Sequence, residues 1–112
     1  MKQKYVPDRG DVVWLDFSPQ AGTEQRGNRP AFVLSPRSYN QKVGLALFCP
    51  ITSRIKGYPF EVILPQGSKL TGAVLVDHIK SLDWKARKAV FIQKTTKPVI
   101  GEVLAKLVTL LT

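Results

Sequence analysis

The stretch Gly22-Thr23-Glu24-Gln25-Arg26-Gly27-Asn28-Arg29-Pro30 runs directly into the apolar segment Ala31-Phe32-Val33-Leu34. A segment this rich in glycine and polar residues is predicted to be a surface loop, anchored at its end by the apolar run. Pro30 fixes its own φ angle and favours an extended backbone at Arg29, so the Arg29 side chain should leave the rim of a sheet in a defined direction. The loop therefore presents a carboxylate and guanidinium groups; the alternative is an ordinary solvated hairpin loop.

Composition limits what this loop can be for. The chain has 112 residues with 44% hydrophobic content, enough for one core, and we expect a single domain spanning residues 1–112. Seventeen Lys and Arg residues against eight Asp and Glu give a formal net charge of +9. Such an excess predicts a polyanionic partner, nucleic acid first, or an acidic protein. No apolar stretch approaches the roughly 20 residues that span a bilayer, so no membrane is expected as a partner.

Targeting and redox features favour the cytoplasm. The N-terminal residues Met1 to Tyr5 are not followed by the apolar core of a signal peptide. Cys49 is the only cysteine, so we expect neither an intrachain disulfide nor a cysteine-based zinc site, in agreement with a reducing compartment. Because Cys49 alternates with Leu45 and Leu47, it is predicted to be a small buried apolar residue.

Short β-branched and aromatic segments between turn residues predict a sheet of short strands. These strands are expected at Asp11–Phe17, Arg29–Ser35, Leu45–Ile51, Phe60–Leu64, Ala73–Val76, Ile79–Leu82 and Ala89–Ile92. The fifth and sixth form one strand that is interrupted at Asp77-His78. Single helical turns are expected at Pro36–Asn40 and Asp83–Arg87.

The C-terminal segment Pro98–Leu111 differs because its apolar residues recur at helical spacing. The stripe consists of Val99, Ile100, Val103, Leu104, Leu107, Val108 and Leu111. Glu102 and Lys106, four residues apart, support the helix modestly, whereas Gly101 weakens its first turn by about 1 kcal/mol relative to Ala. Short strands followed by one helix predict a mainly β fold, a small curved antiparallel sheet or barrel over which the helix closes.

Catalytic chemistry can be narrowed by subtraction. His78 is the only histidine, which excludes a two-histidine acid/base pair within one chain. No acidic residues have the spacing of a metal site and no glycine-rich phosphate-binding signature is present, so neither a metal nor a cofactor is expected. Carboxylate, guanidinium and hydroxyl groups remain. RNA suits these groups because its 2′-hydroxyl supplies an internal nucleophile, so the protein needs only a proton acceptor, a proton donor and fixed positive charge.

A set of short segments in the chain points to one family of proteins. They are Tyr5-Val6-Pro7-Asp8, Gly10-Asp11, Trp14, Asp16-Phe17, Glu24-Gln25, Arg29-Pro30-Ala31, Val33-Leu34-Ser35-Pro36, Tyr39-Asn40, Lys56-Gly57-Tyr58-Pro59-Phe60-Glu61-Val62 and Trp84-Lys85-Ala86-Arg87. By these motifs the sequence resembles the MazF (PemK/Kid-like) toxins of bacterial toxin-antitoxin pairs, up to about Arg87. Beyond that point the likeness rests on the helical pattern.

The resemblance implies a fold, an activity and partners. The implied fold is a homodimer of small SH3-like (PemK/CcdB-like) antiparallel β-barrels with short helical turns and a C-terminal α-helix. The implied activity is cleavage of single-stranded mRNA without a metal, which leaves a 2′,3′-cyclic phosphate and a 5′-hydroxyl. The resemblance also implies inhibition by a cognate antitoxin whose acidic, flexible tail lies across the RNA groove.

By position, Glu24, Arg29 and Thr52 match the catalytic set of that family. We predict that Glu24 accepts the 2′-hydroxyl proton and that Thr52 donates a hydrogen bond to a phosphate oxygen. A guanidinium with a pKa above ~12 is a poor base, so Arg29 is predicted to stabilise the phosphorane charge and to be a candidate donor to the leaving 5′-oxygen. The alternatives are a surface pair of Glu24 with Arg26 and a turn hydroxyl at Thr52.

Aromatic, amide and charged residues around the groove are the expected RNA contacts. They are Phe17, Arg26, Asn28, Ser53, Lys56, Tyr58, Asp77, His78 and Lys80. A base stacked on Phe17 or Tyr58 would gain about 1 to 3 kcal/mol, although Phe17 is equally compatible with the core. His78 is expected to contact a base or the RNA backbone, the alternative being a proton donor to the leaving group. Asp77 either contacts RNA or ties loop amides.

Two other functional classes remain open. The first is a nucleic-acid-binding barrel without catalysis, and the second is a poison of DNA gyrase like the related CcdB-like toxins, acting through the C-terminal helix. A basic run could bind RNA phosphates or an acidic antitoxin, or be a solvated face. Its members are Lys85, Arg87, Lys88, Lys94 and Lys97.

Overall fold

The computed structural model describes residues 4–17 and 27–112, and these build a sheet of seven strands and two helices. The strands are β1 (Asp11–Asp16), β2 (Asn28–Val33), β3 (Ala46–Thr52), β4 (Glu61–Ile63), β5 (Ala73–Leu75), β6 (Lys80–Leu82) and β7 (Val90–Lys94). The helices are α1 (Arg37–Val43) and α2 (Lys97–Leu111). Every predicted strand is present. The strand starts differ from the prediction by one residue at most and the strand ends by two at most. The predicted turn after Pro36 extends to a helix of seven residues.

All strand pairings are antiparallel, in the order β4-β5-β3-β2-β1-β7, and β6 also pairs with β3. The prediction of a mainly β antiparallel fold with a C-terminal helix is therefore confirmed. Of the expected curved sheet or barrel, the described residues form a sheet that does not close, because β4 and β7 end it without pairing to each other. The sheet instead branches at β3, whose first half pairs with β6 and whose last two residues pair with β5.

This branching explains the interruption that the sequence predicts at Asp77-His78. The pairing of Ile51 with Val74 and that of Phe48 with Lys80 cannot belong to one continuous register. The chain must therefore leave β3 between β5 and β6. Asp77 and His78 lie in this turn and are exposed, which puts polar side chains where no strand partner covers them.

The two faces of the sheet carry two separate apolar clusters, because alternate residues of a strand point to opposite faces. One cluster includes Val12, Phe32 and Cys49, together with Val99 and Val103 of α2, so the helix covers this face. We call it the helix-covered face. The opposite cluster is built from Val13, Leu15, Phe17, Ala31, Val33, Ala46, Phe48 and Trp84, and we call this side the open face. Cys49 is completely buried, as predicted, and burial raises the pKa of its thiol to about 12.

Helix α2 begins after Thr96, whose hydroxyl oxygen accepts a hydrogen bond from the Val99 N–H. The predicted apolar stripe is buried only in its first turns. Val99 and Val103 are buried, whereas Leu111 is 72% exposed, because the last turn extends beyond the sheet. Neither helix in the described ranges is long and apolar enough to cross a membrane.

Candidate active site

Strands β2 and β3 bring Arg29 and Thr52 to the same face of the sheet. Their antiparallel register pairs Val33 with Phe48 and Ala31 with Pro50. Arg29 and Thr52 each lie two residues beyond the last pair, Ala31 with Pro50. Because side chains two apart on a strand point to the same face, Arg29 and Thr52 belong to the face of Ala31 and Pro50. Both residues therefore lie at one end of the open face.

The guanidinium group of Arg29 has an unused donor. Its Nε atom is buried and has no hydrogen-bond partner among the described residues. A buried polar atom without a partner costs about 1 to 3 kcal/mol, so such atoms in folded proteins call for an explanation. An anionic ligand that accepts this hydrogen bond would supply one. The position of Arg29 beside Pro30, which has no N–H to pair, agrees with the predicted extended backbone.

Thr52 is the last residue of β3, and its hydroxyl group already accepts one hydrogen bond. The Oγ1 atom accepts a hydrogen bond of 3.0 Å from the Arg54 N–H. The turn role that we considered as an alternative is therefore present. It does not compete with the catalytic role, because a hydroxyl that accepts through a lone pair still has its own proton to donate. Thr52 can consequently donate to a phosphate oxygen while the turn holds it in place.

Gly72 controls the backbone of Thr52, a role that the sequence did not reveal. Its φ angle is +135°, and a Cβ atom at this position would lie 2.2 Å from the carbonyl oxygen of Thr52. Only glycine permits both this conformation and this approach. Gly72 therefore allows β5 to pack directly against the end of β3. The signal in the sequence was only an isolated glycine before a strand.

The loop of residues 53–59 is held by the buried carboxylate of Glu61, a second residue missed as functional. The Glu61 side chain accepts hydrogen bonds from the N–H groups of Lys56 at 3.0 Å and Gly57 at 2.7 Å. Lys106 of α2 donates to the carbonyl oxygen of Pro59 at 2.5 Å. Hydrogen bonds to a charged group are stronger than neutral ones. Glu61 and Lys106 thus hold in place the loop that carries Ser53, Lys56 and Tyr58, three of the predicted RNA-binding residues.

Tyr58 and Asp77 join this loop to the turn between β5 and β6. The Tyr58 hydroxyl donates to Oδ1 of Asp77 at 2.9 Å, and the Nε2 atom of His78 lies 3.8 Å from the same oxygen. Partial burial and the bond to Asp77 together raise the pKa of Tyr58 to about 12. Asp77 therefore ties a loop through a tyrosine hydroxyl rather than through loop amides. His78 remains half exposed beside it.

Phe17 and Lys80 lie close to each other on the open face. Phe17 is completely buried on the open face, which corresponds to its core alternative and corrects the expectation of an exposed stacking platform. The Nζ atom of Lys80 lies 5.9 Å from the centre of the Phe17 ring, a distance at which a cation is attracted to a ring face. Because Lys80 pairs with Phe48, its side chain is on the same face as Arg29 and Thr52.

Asn28 is not brought to this group. It neighbours Arg29 in β2 and therefore points to the other face, where it pairs with Asp16. There it lines a groove of about 610 Å³ together with Trp14, Asp16, Lys88 and Val90. The alternation along the strand thus separates Asn28 from Arg29, and the contact of Asn28 with RNA stays a prediction. Glu24 and Arg26 lie outside the described residues.

Several of the described residues are suited to bind an anion. Arg29, Lys80 and Thr52 offer two cations and a hydroxyl on one face of the sheet, and Tyr58, Asp77 and His78 form a second group whose members contact one another. Fixed donors of this kind stabilise negative charge that develops on a phosphorus centre. In the described ranges, no group of three or more His, Cys, Asp or Glu side chains is placed to hold a metal ion.

Comparisons with known proteins identify the family of this chain. One family, described as the PemK-like, MazF-like toxin of the type II toxin-antitoxin system, matches residues 8–111. The endoribonuclease toxin MazF of Escherichia coli (strain K12) is 53% identical over 89 residues, 80% of this chain and 79% of that protein. Endoribonuclease PemK of Escherichia coli is 32% identical over 118 residues, 100% of this chain and 87% of PemK.

Solved structures give the same result for the fold. The crystal structure of MazF (Form-I) from Deinococcus radiodurans superposes with a TM-score of 0.90 at 55% identity and covers 96% of this chain and 98% of that one. A MazE-MazF structure (Form-II) from the same organism gives a TM-score of 0.89 at 55% identity, covering 96% and 97%. The strands that carry Arg29 and Thr52 lie within the matched residues. The chain therefore belongs to the PemK-like, MazF-like toxin family of type II toxin-antitoxin systems.

Proposed function

We propose that this protein is an endoribonuclease that cuts single-stranded mRNA at a short specific sequence and thereby inhibits translation and growth. The observation that supports the proposal is the position of Arg29 and Thr52 on the same face of the neighbouring strands β2 and β3. The relatives named as endoribonucleases support it at up to 53% identity.

The proposed reaction is attack of the 2′-hydroxyl on the adjacent phosphorus. The P–O5′ bond breaks, and the products are a 2′,3′-cyclic phosphate and a 5′-hydroxyl. Arg29 stabilises the charge on the phosphorane oxygens and is the candidate donor to the leaving oxygen, and Thr52 donates a hydrogen bond to a phosphate oxygen. Glu24 accepts the 2′-hydroxyl proton in this scheme. No metal or cofactor takes part.

RNA recognition is assigned to the border of the site. Tyr58 offers a half-buried ring on a loop that Glu61 fixes, so a base can stack on it without first ordering the loop. Lys80 and Lys56 contact phosphates, and Ser53, Asp77 and His78 contact bases or the RNA backbone. Arg26 adds affinity without specificity.

Partners and location are part of the same proposal. The MazE-MazF structures of Deinococcus radiodurans support an antitoxin as the partner of this chain. We propose that the antitoxin has an acidic, flexible tail that folds onto the +9 surface. The single domain of residues 1–112 would act as a homodimer in the cytoplasm.

The test is RNA cleavage in the presence of a chelator, followed by mapping of both ends. Wild type should produce cyclic phosphate and 5′-hydroxyl ends at one short motif. Arg29→Ala should lower the rate about 10²- to 10³-fold, the cost of removing a main donor to the developing charge. Lys97→Ala, which removes an exposed cation from α2, serves as the matched control and should cut at the wild-type rate.

Each contrary result has a separate meaning. Intact RNA with wild type, or undiminished cleavage by Arg29→Ala, would refute the nuclease. Intact RNA that is nevertheless bound tightly would indicate the non-catalytic barrel. Growth arrest in cells with intact mRNA would point to a protein target such as gyrase.

A further inference from the structure

A basic groove lies on the open face at the end opposite to Arg29 and Thr52. We define it by Lys4, Tyr5, Arg37, Trp84, Lys85 and Lys88, which line two adjoining depressions of about 750 and 290 Å³. Tyr5 and Trp84 also pack against the apolar cluster of this face. The groove is therefore a feature of the same face that carries the candidate active site, and it has no role in the reaction described above.

Positive charge predominates in the groove, although the Asp8 carboxylate beside it accepts a hydrogen bond from the Arg37 N–H. Lys4, Arg37, Lys85 and Lys88 are all exposed, and no carboxylate lines either depression among the described residues. Within the same part of the chain, none of these four cations forms an ion pair. The contrast is Lys94, which lies 2.8 Å from the buried carboxylate of Asp11. A concave surface lined by charge of one sign concentrates the field and attracts polyanions.

The floor of the groove is rigid. The indole of Trp84 is only 8% exposed and donates a hydrogen bond of 2.9 Å to the carbonyl oxygen of Asn40. Tyr5 packs against Phe91 with ring centres 5.8 Å apart and donates to Asp11 at 2.6 Å. The Nζ atom of Lys85 sits 5.6 Å from the centre of the Trp84 ring. The floor supports the cations without having to reorganise when a ligand binds.

Strand β6 connects the groove to the candidate active site. It begins at Lys80, above the buried Phe17 ring, and continues to Leu82, which packs in the same cluster as Trp84. Two residues of a strand advance by roughly 7 Å, so the path from Lys80 to the groove is short. An RNA strand that leaves Arg29 and Thr52 across Lys80 would reach the groove directly.

We propose that the basic groove binds phosphates of the RNA segment that flanks the cleaved nucleotide. The inference rests on the proposed nuclease function and extends it to a second, sequence-independent RNA-binding site. RNA is favoured over an acidic peptide because a segment that folds on binding must bury apolar surface to offset its ordering, and Trp84 already closes the floor. Phosphate contacts need only charge.

The experiment measures binding to RNA whose scissile nucleotide, once mapped, carries a 2′-deoxy substitution so that no cleavage occurs. The groove variant Arg37→Gln with Lys85→Gln is compared with Lys69→Gln with Lys97→Gln, which removes the same charge elsewhere. For long single-stranded RNA, the slope of log K against log salt should decrease by about 1.4 in the groove variant, since each lost single-strand phosphate contact contributes about 0.7. The decrease should be smaller in the control.

A short oligonucleotide limited to the cleavage motif provides the second arm. The groove variant should bind and cut it like wild type, because no flanking phosphate reaches the groove. Equal losses in the two double variants on long RNA, or equal losses on long and short RNA, would overturn the proposal. So would weakened binding of polyglutamate with unchanged RNA binding. Failure of wild type to cut any RNA would refute the nuclease function, whereas the binding arms would still test the groove.

Discussion

The two faces of the sheet both carry a buried apolar cluster, but they differ in what lies next to it. On the helix-covered face, α2 closes over Phe32, Cys49 and Val103, and the described polar groups lie at the margins. On the open face, the apolar cluster is just as buried, but Arg29, Thr52 and Lys80 continue from it at one end and the basic groove lies at the other. The helix therefore covers one side of the sheet, and the candidate ligand-binding residues lie on the other side.

The largest expected effect is a loss of stability caused by a substitution in the helix-covered face. Phe32→Ala removes a completely buried ring from its cluster, so the free energy of unfolding should fall by about 3 to 5 kcal/mol. Denaturant titration measures this change. The cleavage rate per folded molecule should stay near that of wild type, and a fall in this rate would show that the two faces are not separate.

The next effect concerns the contact between Gly72 and Thr52. Gly72→Ala places a Cβ atom against the Thr52 carbonyl oxygen and strains a backbone with φ of +135°, at a cost of about 1 to 3 kcal/mol. Because Thr52 must move, the cleavage rate should fall as well. Gly67→Ala is the control, since Gly67 has a φ of +89° but no atom within 4 Å of the added Cβ. An equal loss of cleavage in both variants would contradict this role.

A comparable effect on stability tests the role of the loop of residues 53–59. Glu61→Ala leaves the N–H groups of Lys56 and Gly57 without their acceptor, which should cost about 1.5 to 3 kcal/mol. We expect cleavage to become less selective between the preferred motif and single-base variants of it. Glu61→Gln retains one acceptor oxygen and should show an intermediate loss. Unchanged selectivity in Glu61→Ala would separate the loop from RNA recognition.

The smallest effect is a dependence of stability on pH. Because the pKa of Tyr58 is raised to about 12 from its ordinary value near 10, the folded state keeps the phenol proton longer than the unfolded state. The stabilisation is therefore complete below pH 10 and is lost as the pH rises toward 12. Tyr58→Phe should reduce this loss in pH titrations of the unfolding free energy. A steeper loss in Tyr58→Phe would show that the sign is wrong.

Local pattern was sufficient to predict most of the fold. The β-branched and aromatic run Asp11–Phe17 predicts a strand, and the helical spacing of apolar residues after Pro98 predicts a helix. The alternation of Cys49 with Leu45 and Leu47 predicts that Cys49 is buried. What failed depends on contacts between distant segments. The burial of Phe17 depends on the distant segments that pack in the same cluster, and the branching of the sheet depends on the pairing of both β5 and β6 with β3.

The candidate site divides along the same line. Arg29 and Thr52 were identified by resemblance, and the pairing of β2 with β3 puts these two residues, far apart in sequence, on one face of neighbouring strands. Glu61 and Gly72 were missed because their roles are seen only against a partner: a carboxylate needs the loop that folds over it, and a glycine needs the carbonyl group beside it. Neither property is visible in a single strand.

The hydrogen bond from Lys106 of α2 to the carbonyl oxygen of Pro59 connects the helix to the loop of residues 53–59. Through this contact, α2 holds the base of the loop that carries Tyr58. A variant that lacks α2 would lose both the cover of one core cluster and this attachment of the loop. The proposed nuclease activity would therefore require α2, although α2 carries none of the candidate catalytic residues.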